Sequence, residues 1–219
     1  MQNSKFKINE DGLTIIELLI AMSIGLVVLG SVFSSFTTQK KAFALQEQIT
    51  EMEQNLRVPI DFITRDLRNA GANPNINTTL VIGTSVGLIP DATTTIGANS
   101  IRILSDVEDG NGVISSGSPE TVTYSLNGTT LERNGNPLVD YITALTFTYF
   151  DSAGIATPIT TTTNLSNIRV VQVSLTARTE YEDPNYTAGV NISGTAADGT
   201  CKTRTLTVKV RTRNIGLQG

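Results

Sequence analysis

The residue most in need of a chemical account is Glu17, a lone carboxylate in an otherwise apolar stretch, Leu13 to Phe36, reading LTIIELLIAMSIGLVVLGSVFSSF. A carboxylate inside an apolar helix costs about 2.5–3.5 kcal/mol on insertion scales unless something pairs with it. Gly12 stands directly before the run. If the chain is cut after Gly12, the new α-amino group of Leu13 becomes a cation four residues from Glu17, about one helical turn away. The pair can close within one chain or between two. The other reading puts Glu17 at the cytoplasmic interface, with its carboxylate snorkelling to the headgroups.

Other chemistry is thin. The chain has no histidine, which removes His-based acid–base catalysis, Ser-His-Asp and Cys-His nucleophiles and His-ligated metals. Gly83-Thr84-Ser85-Val86-Gly87 has the spacing of a nucleophile elbow, but no base exists to take the serine proton, so it reads as a turn. Cys201 is the single cysteine; it can form no intrachain disulfide, and a structural thiol is its default reading. One metal candidate remains, in Asp106 to Ile114, where Asp109, Asn111 and Ile114 follow an EF-hand-like order and Gly112 follows Asn111. No carboxylate stands at the twelfth position of such a loop, and an ordinary acidic turn accounts for the same residues. Calcium is therefore the one cofactor the residues offer, and otherwise none is implied. Lys209, Arg211 and Arg213 share one face of a terminal strand. On a chain of net charge −4, with no aromatics between the three, they read as guards of a sheet edge or partners for acidic neighbours, and against nucleic acid.

The elements that must position these groups follow from periodicity. The 24 apolar residues from Leu13 make a helix of about 36 Å, enough to cross a bilayer, and the twelve before them are a short polar leader with Lys5 and Lys7. A cleaved secretory signal is the alternative, but the run is long for one, and helical periodicity continues past it. Leu45, Ile49, Met52, Leu56, Ile60, Ile63 and Leu67 recur at helical spacing as one buried stripe. Pro59 should kink or divide this helix, and Gly71 with Asn73-Pro74 should stop it. Beyond Gly71 the composition turns to Thr, Ser, Asn and Gly and the period falls to two. Strands are expected at Leu80–Gly83, Ser100–Leu104, Thr121–Leu126, Thr130–Arg133, Ala144–Phe150, Arg169–Arg178 and Thr203–Arg213, with Asn127-Gly128 as a hairpin turn. Their inward residues form one apolar sheet face on which the helix stripe packs, and Glu180 to Thr200 is a long polar loop.

Gly12-Leu-Thr-Ile-Ile-Glu17-Leu-Leu-Ile resembles the cleavage and methylation motif of type IV prepilins and type II secretion pseudopilins, with glycine last in the leader and glutamate fifth in the mature chain. The resemblance implies cutting between Gly12 and Leu13 by a prepilin peptidase, N-methylation of Leu13, and use of Glu17 in assembly against a neighbour's terminal amine. Glu10-Asp11 before the glycine and Leu13 as first mature residue depart from the commoner basic residue and Phe. The later order is similar to minor pilins of the PilW type and their type II secretion J counterparts: Arg65-Asp-Leu-Arg-Asn-Ala-Gly71, then Tyr124-Ser-Leu, Leu145-Thr-Phe-Thr-Tyr-Phe-Asp151 and an Arg-rich last strand.

The expected fold is α+β, a long N-terminal helix packed on an antiparallel sheet. It divides into a leader (1–12), a transmembrane and assembly helix (13–36), an amphipathic helix (37–71) and a β-rich head (72–219). The resemblance implies a non-enzymatic minor pilin or pseudopilin of a type IV pilus or related filament, acting in its priming or tip. Its site would be the bacterial inner membrane with the head in the periplasm, then the filament. Its partners would be other pilins, the peptidase and an inner-membrane assembly platform. The competing expectation is a membrane-anchored periplasmic binding domain that never polymerises, using Glu180 to Thr200 for recognition.

Overall fold

The computed structural model describes residues 12, 14–73, 87–90, 99–108, 114, 119–151, 158–159, 165, 167–183 and 200–215. The chain forms two compact units, Met1–Glu47 and Gln48–Gly219. One helix, α1 (Ile15–Asn69), contributes to both.

In the first unit α1 is long and apolar enough to cross a membrane, and none of that stretch is buried by the chain itself. Ile15, Leu26, Val27 and Phe33 are each more than two-thirds exposed. So large an apolar surface needs lipid or other helices around it. Two of its hydroxyls are satisfied along the helix: Ser23 donates to the Leu19 carbonyl at 2.8 Å and Ser31 to that of Val27 at 2.9 Å. A hydroxyl in hydrocarbon has no water to turn to, so such internal bonds make it tolerable there.

In the second unit the predicted stripe is realised from Ile49 to Leu67, while Leu45, its first member, is half-buried and belongs to the first unit. Met52, Leu56, Ile60, Ile63 and Leu67 are buried, and Ile49 packs against them. The expected division at Pro59 does not occur, because α1 runs through it as one element. Pro59 is itself among the buried residues of the helix, so the apolar burial of its ring offsets the backbone hydrogen bond it cannot donate. The helix ends where expected, with Gly71 at φ 74°.

The strands correct the expectation of one sheet face. A five-stranded antiparallel sheet comprises β1 (Leu88–Pro90), β2 (Ser100–Leu104), β3 (Thr121–Asn127), β4 (Thr130–Arg133) and β5 (Asn136–Val139), in that order. A separate four-stranded sheet orders β7 (Pro158–Ile159), β6 (Ile142–Phe150), β8 (Val170–Arg178) and β9 (Thr203–Arg211). Alternation shows which side chains share a face but not which strands share a ladder, so Val122 and Tyr124 belong to the first sheet and the Leu145, Val173 and Leu206 rows to the second. Both inward faces and the α1 stripe form one hydrophobic core. The expected β2 and β4 hold to the residue, while β3, β6, β8 and β9 differ at their ends. The expected strand Leu80–Gly83 lies outside the described residues. Strands β1, β5 and β7 were not expected from the sequence.

Candidate functional site

The residues expected to carry chemistry sit at the start of α1. The Glu17 N–H donates to the Thr14 carbonyl at 3.1 Å and to Thr14 Oγ1 at 3.3 Å, and the Leu18 N–H donates to the same carbonyl at 3.1 Å. Thr14 is thus the N-cap and Glu17 the third helical residue, the spacing of a capping box. The sequence signal for this is Thr14-Ile-Ile-Glu17 itself, a Thr three residues before a Glu at the head of an apolar run. An acidic side chain in the first turn also faces the positive end of the helix dipole.

Gly12 precedes the cap and is exposed, and a side chain built on it would meet nothing within 4 Å. Leu13, the expected methylation position, lies outside the described residues. Glu17 is exposed and makes no ion pair among the described residues. The chain therefore presents a capped helix start, an open glycine before it and a carboxylate with no ion-pair partner among the described residues. That arrangement can offer the backbone before the cap to another protein and receive a cation at Glu17.

The remaining candidates are dispersed. Asp109 and Asn111 of the calcium proposal lie outside the described residues, and Ile114 is half-buried. No group of three His, Cys, Asp or Glu able to hold a metal occurs among the described residues. Of the elbow motif only Gly87 is described; it is buried at φ 83°. Cys201 is buried, with the Arg178 guanidinium 3.6 Å from its sulfur, and Arg178 also donates to the Thr179 carbonyl at 3.1 Å. Of the loop Glu180 to Thr200, only its two ends, residues 180–183 and 200, are described.

One network had no forecast in the sequence. Tyr124 of β3 donates to Asp66 Oδ2 of α1 at 2.6 Å, and Arg133 Nη2 of β4 reaches the same oxygen at 3.0 Å. Burial first, then the hydrogen bond to Asp66, pushes the Tyr124 phenol above its ordinary range. This fixes the last turns of α1 against the five-stranded sheet; it is a positioning device, with no reacting atom in it.

Residues 8–33 match the family described as "Prokaryotic N-terminal methylation motif". The chain thus carries the N-terminal methylation motif of prokaryotic prepilins, with Gly12 and Glu17 inside the matched residues, on a helix of membrane length that leads into a β-rich head. No curated protein matches the chain. Among solved structures it is similar to the type IV-like pilin TTHA1219 from Thermus thermophilus, with 13% identity over 75% of this chain and 97% of that one and a TM-score of 0.47.

Proposed function

We propose that this chain is a minor pilin or pseudopilin, cut between Gly12 and Leu13, methylated at Leu13 and assembled through α1 into a filament or its priming tip. The observation that carries the reading is the methylation motif over residues 8–33 heading a membrane-length helix left unburied by its own chain. Before assembly that helix holds the protein in the inner membrane with its head in the periplasm. On assembly the lipid around it is exchanged for other pilin helices, and Glu17 selects the axial offset. A buried carboxylate without a cation penalises every register except the one that brings a neighbour's terminal amine to it. Gly25 and Gly30, with nothing within 4 Å of a built Cβ, leave room for close helix approach. The role is structural rather than enzymatic.

The test is the mass of the N-terminal peptide from the protein expressed in its own membrane with its own peptidase. A chain beginning at methylated Leu13 is expected. Retention of Met1 would overturn the reading and favour an anchored binding domain that does not polymerise.

A further inference from the structure

The four-stranded sheet stops at β9. The nine residues of this strand, Thr203–Arg211, pair with β8 on one side and with no strand on the other among the described residues. The opposite edge, β7, is only two residues long. A long free edge offers a row of backbone donors and acceptors to another extended chain, so such edges are shortened, covered or guarded unless a partner pairs with them.

A groove of about 320 Å³ lies between β9 and α1. Its floor is apolar: Leu56 and Ile60 of α1 are buried, and Leu206 and Val208 of β9, two apart on the inward face, are half-buried. At its rim α1 sets Glu53, Arg57 and Asp61 at intervals of four residues, negative, positive, negative. Glu53 is answered by Arg204 of β9. Arg57 and Asp61 are exposed and make no ion pair among the described residues, because beyond Arg204 the groove receives from β9 only Leu206 and Val208.

The outer face of the same strand is basic. Lys209 and Arg211 are exposed and make no ion pair among the described residues, and β9 contains no carboxylate. Lys209 lies over the Phe150 ring at 5.5 Å, which holds it at the sheet surface. The hydroxyls of Thr207 and Thr205 are already engaged with Ser174 and Thr176 of β8, at 2.9 and 2.8 Å. With Glu53 and Arg204 cancelling, the groove and the strand leave three open cations, Arg57, Lys209 and Arg211, against one open carboxylate, Asp61.

We infer that β9 is a docking edge for an extended acidic segment of another protein. The segment adds as a strand beside β9, with alternate apolar side chains in the groove against α1 and alternate carboxylates beside Lys209 and Arg211. Strand addition draws affinity from backbone hydrogen bonds and selects its ligand through pockets for alternate side chains; the same period of two separates groove from cations here. Opposite charges on paired strands attract and like charges repel. The sign therefore decides between occupants: a second copy offering its own β9 would join two edges that hold cations and no carboxylate, and a basic segment would fare as badly. The contact needs neither cleavage at Gly12 nor assembly through α1, so it stands or falls apart from the processing reading.

The test uses the full chain in detergent micelles and labelled synthetic peptides of nine residues, the length of β9. By fluorescence anisotropy, a peptide alternating glutamate and valine is expected to bind several-fold more tightly than one alternating lysine and valine. Two further glutamate–valine peptides separate strand addition from plain charge attraction. One is N-methylated at every valine and the other at every glutamate, so each lacks the N–H groups of one edge. One of them should lose binding and the other keep it. Lys209→Glu with Arg211→Glu, at exposed positions, should weaken the acidic peptide several-fold, strengthen the basic one and leave thermal unfolding of the head unchanged. No binding of the acidic peptide, equal binding of acidic and basic peptides, or an equal effect of the two methylation patterns would each overturn the inference. So would a dimer formed through β9 that sedimentation shows the peptide leaves intact.

Discussion

A Cβ built on Gly87 would stand 2.5 Å from the backbone nitrogen of Gly71 and 2.6 Å from its α-carbon, so the end of α1 and the approach to β1 meet backbone to backbone. The Leu104 carbonyl accepts from the Gly71 N–H at 2.8 Å, and the Leu104 N–H donates to the Gly87 carbonyl at 2.9 Å, which ties the end of β2 to both glycines. Gly87→Ala therefore meets two obstacles, a φ of 83° and a contact with backbone that has no flexible end to move. A loss of about 3 kcal/mol is expected in thermal unfolding of the full chain. Gly128→Ala is the control, because Gly128 shares the positive φ, at 62°, with nothing within 4 Å of a Cβ. It should cost only about 1 kcal/mol. Equal losses would show that the close approach is not what Gly87 serves.

Two buried tyrosines should respond in opposite ways to removal of the hydroxyl. Tyr124 donates to Asp66 and accepts from Arg133 Nε at 3.2 Å, so Tyr124→Phe should cost about 1–2 kcal/mol. The Tyr149 hydroxyl is buried with no hydrogen-bond partner among the described residues, so Tyr149→Phe removes an unmet desolvation cost and should be neutral or stabilising. Denaturant midpoints of the two variants measured side by side decide the matter; a matching loss in both would mean that the Tyr149 hydroxyl is satisfied in solution.

The same pair sets an alkaline limit. Burial raises the Tyr149 phenol, and burial with the Asp66 hydrogen bond raises that of Tyr124, both above the ordinary 10.0. The unfolded chain releases these protons near pH 10, whereas the folded chain still holds them. Their contribution is thus complete below about pH 10 and is lost as pH climbs from there towards the folded values. The fall in midpoint above about pH 10 should be shallower in Tyr149→Phe than in the parent chain, and an unchanged slope would contradict the assignment.

The helix was the most legible part of this sequence, because its stripe from Ile49 to Leu67 obeys one period and its stop at Gly71 needs a conformation glycine supplies. Long alternating strands such as β8 were legible for the same reason. The hairpin at Asn134-Gly135, with φ of 55° and 73°, was signalled by the same dipeptide type as Asn127-Gly128, yet the short, exposed β5 after it lacked an apolar alternation to register. Division into two sheets left no local trace, since a ladder joins residues far apart in the chain. The Asp66–Tyr124–Arg133 network was hidden likewise, its members lying 58 and 67 residues apart. At the N-terminus the motif was plain, and its capping role was masked by the stronger question of the membrane charge.

Two readings meet at Glu17, and substitutions can part them. As the residue three beyond the Thr14 cap it sits where an acid favours the helix start, and as a carboxylate in an apolar run it awaits a cation. Glu17→Ala should leave insertion and the unfolding transition of the head unchanged, because no described contact of the head involves Glu17, while incorporation into filaments falls sharply. Glu17→Gln keeps a side chain suited to the capping box and removes the charge. It should assemble as poorly as the alanine variant if charge pairing sets the register. Thr14→Ala removes the cap and keeps the carboxylate, at a cost of about 1 kcal/mol at the helix start, and should reduce assembly far less than either. Filament yield in a strain supplying the native peptidase reads all three. Normal assembly of Glu17→Gln would shift the role of this residue from charge to helix capping.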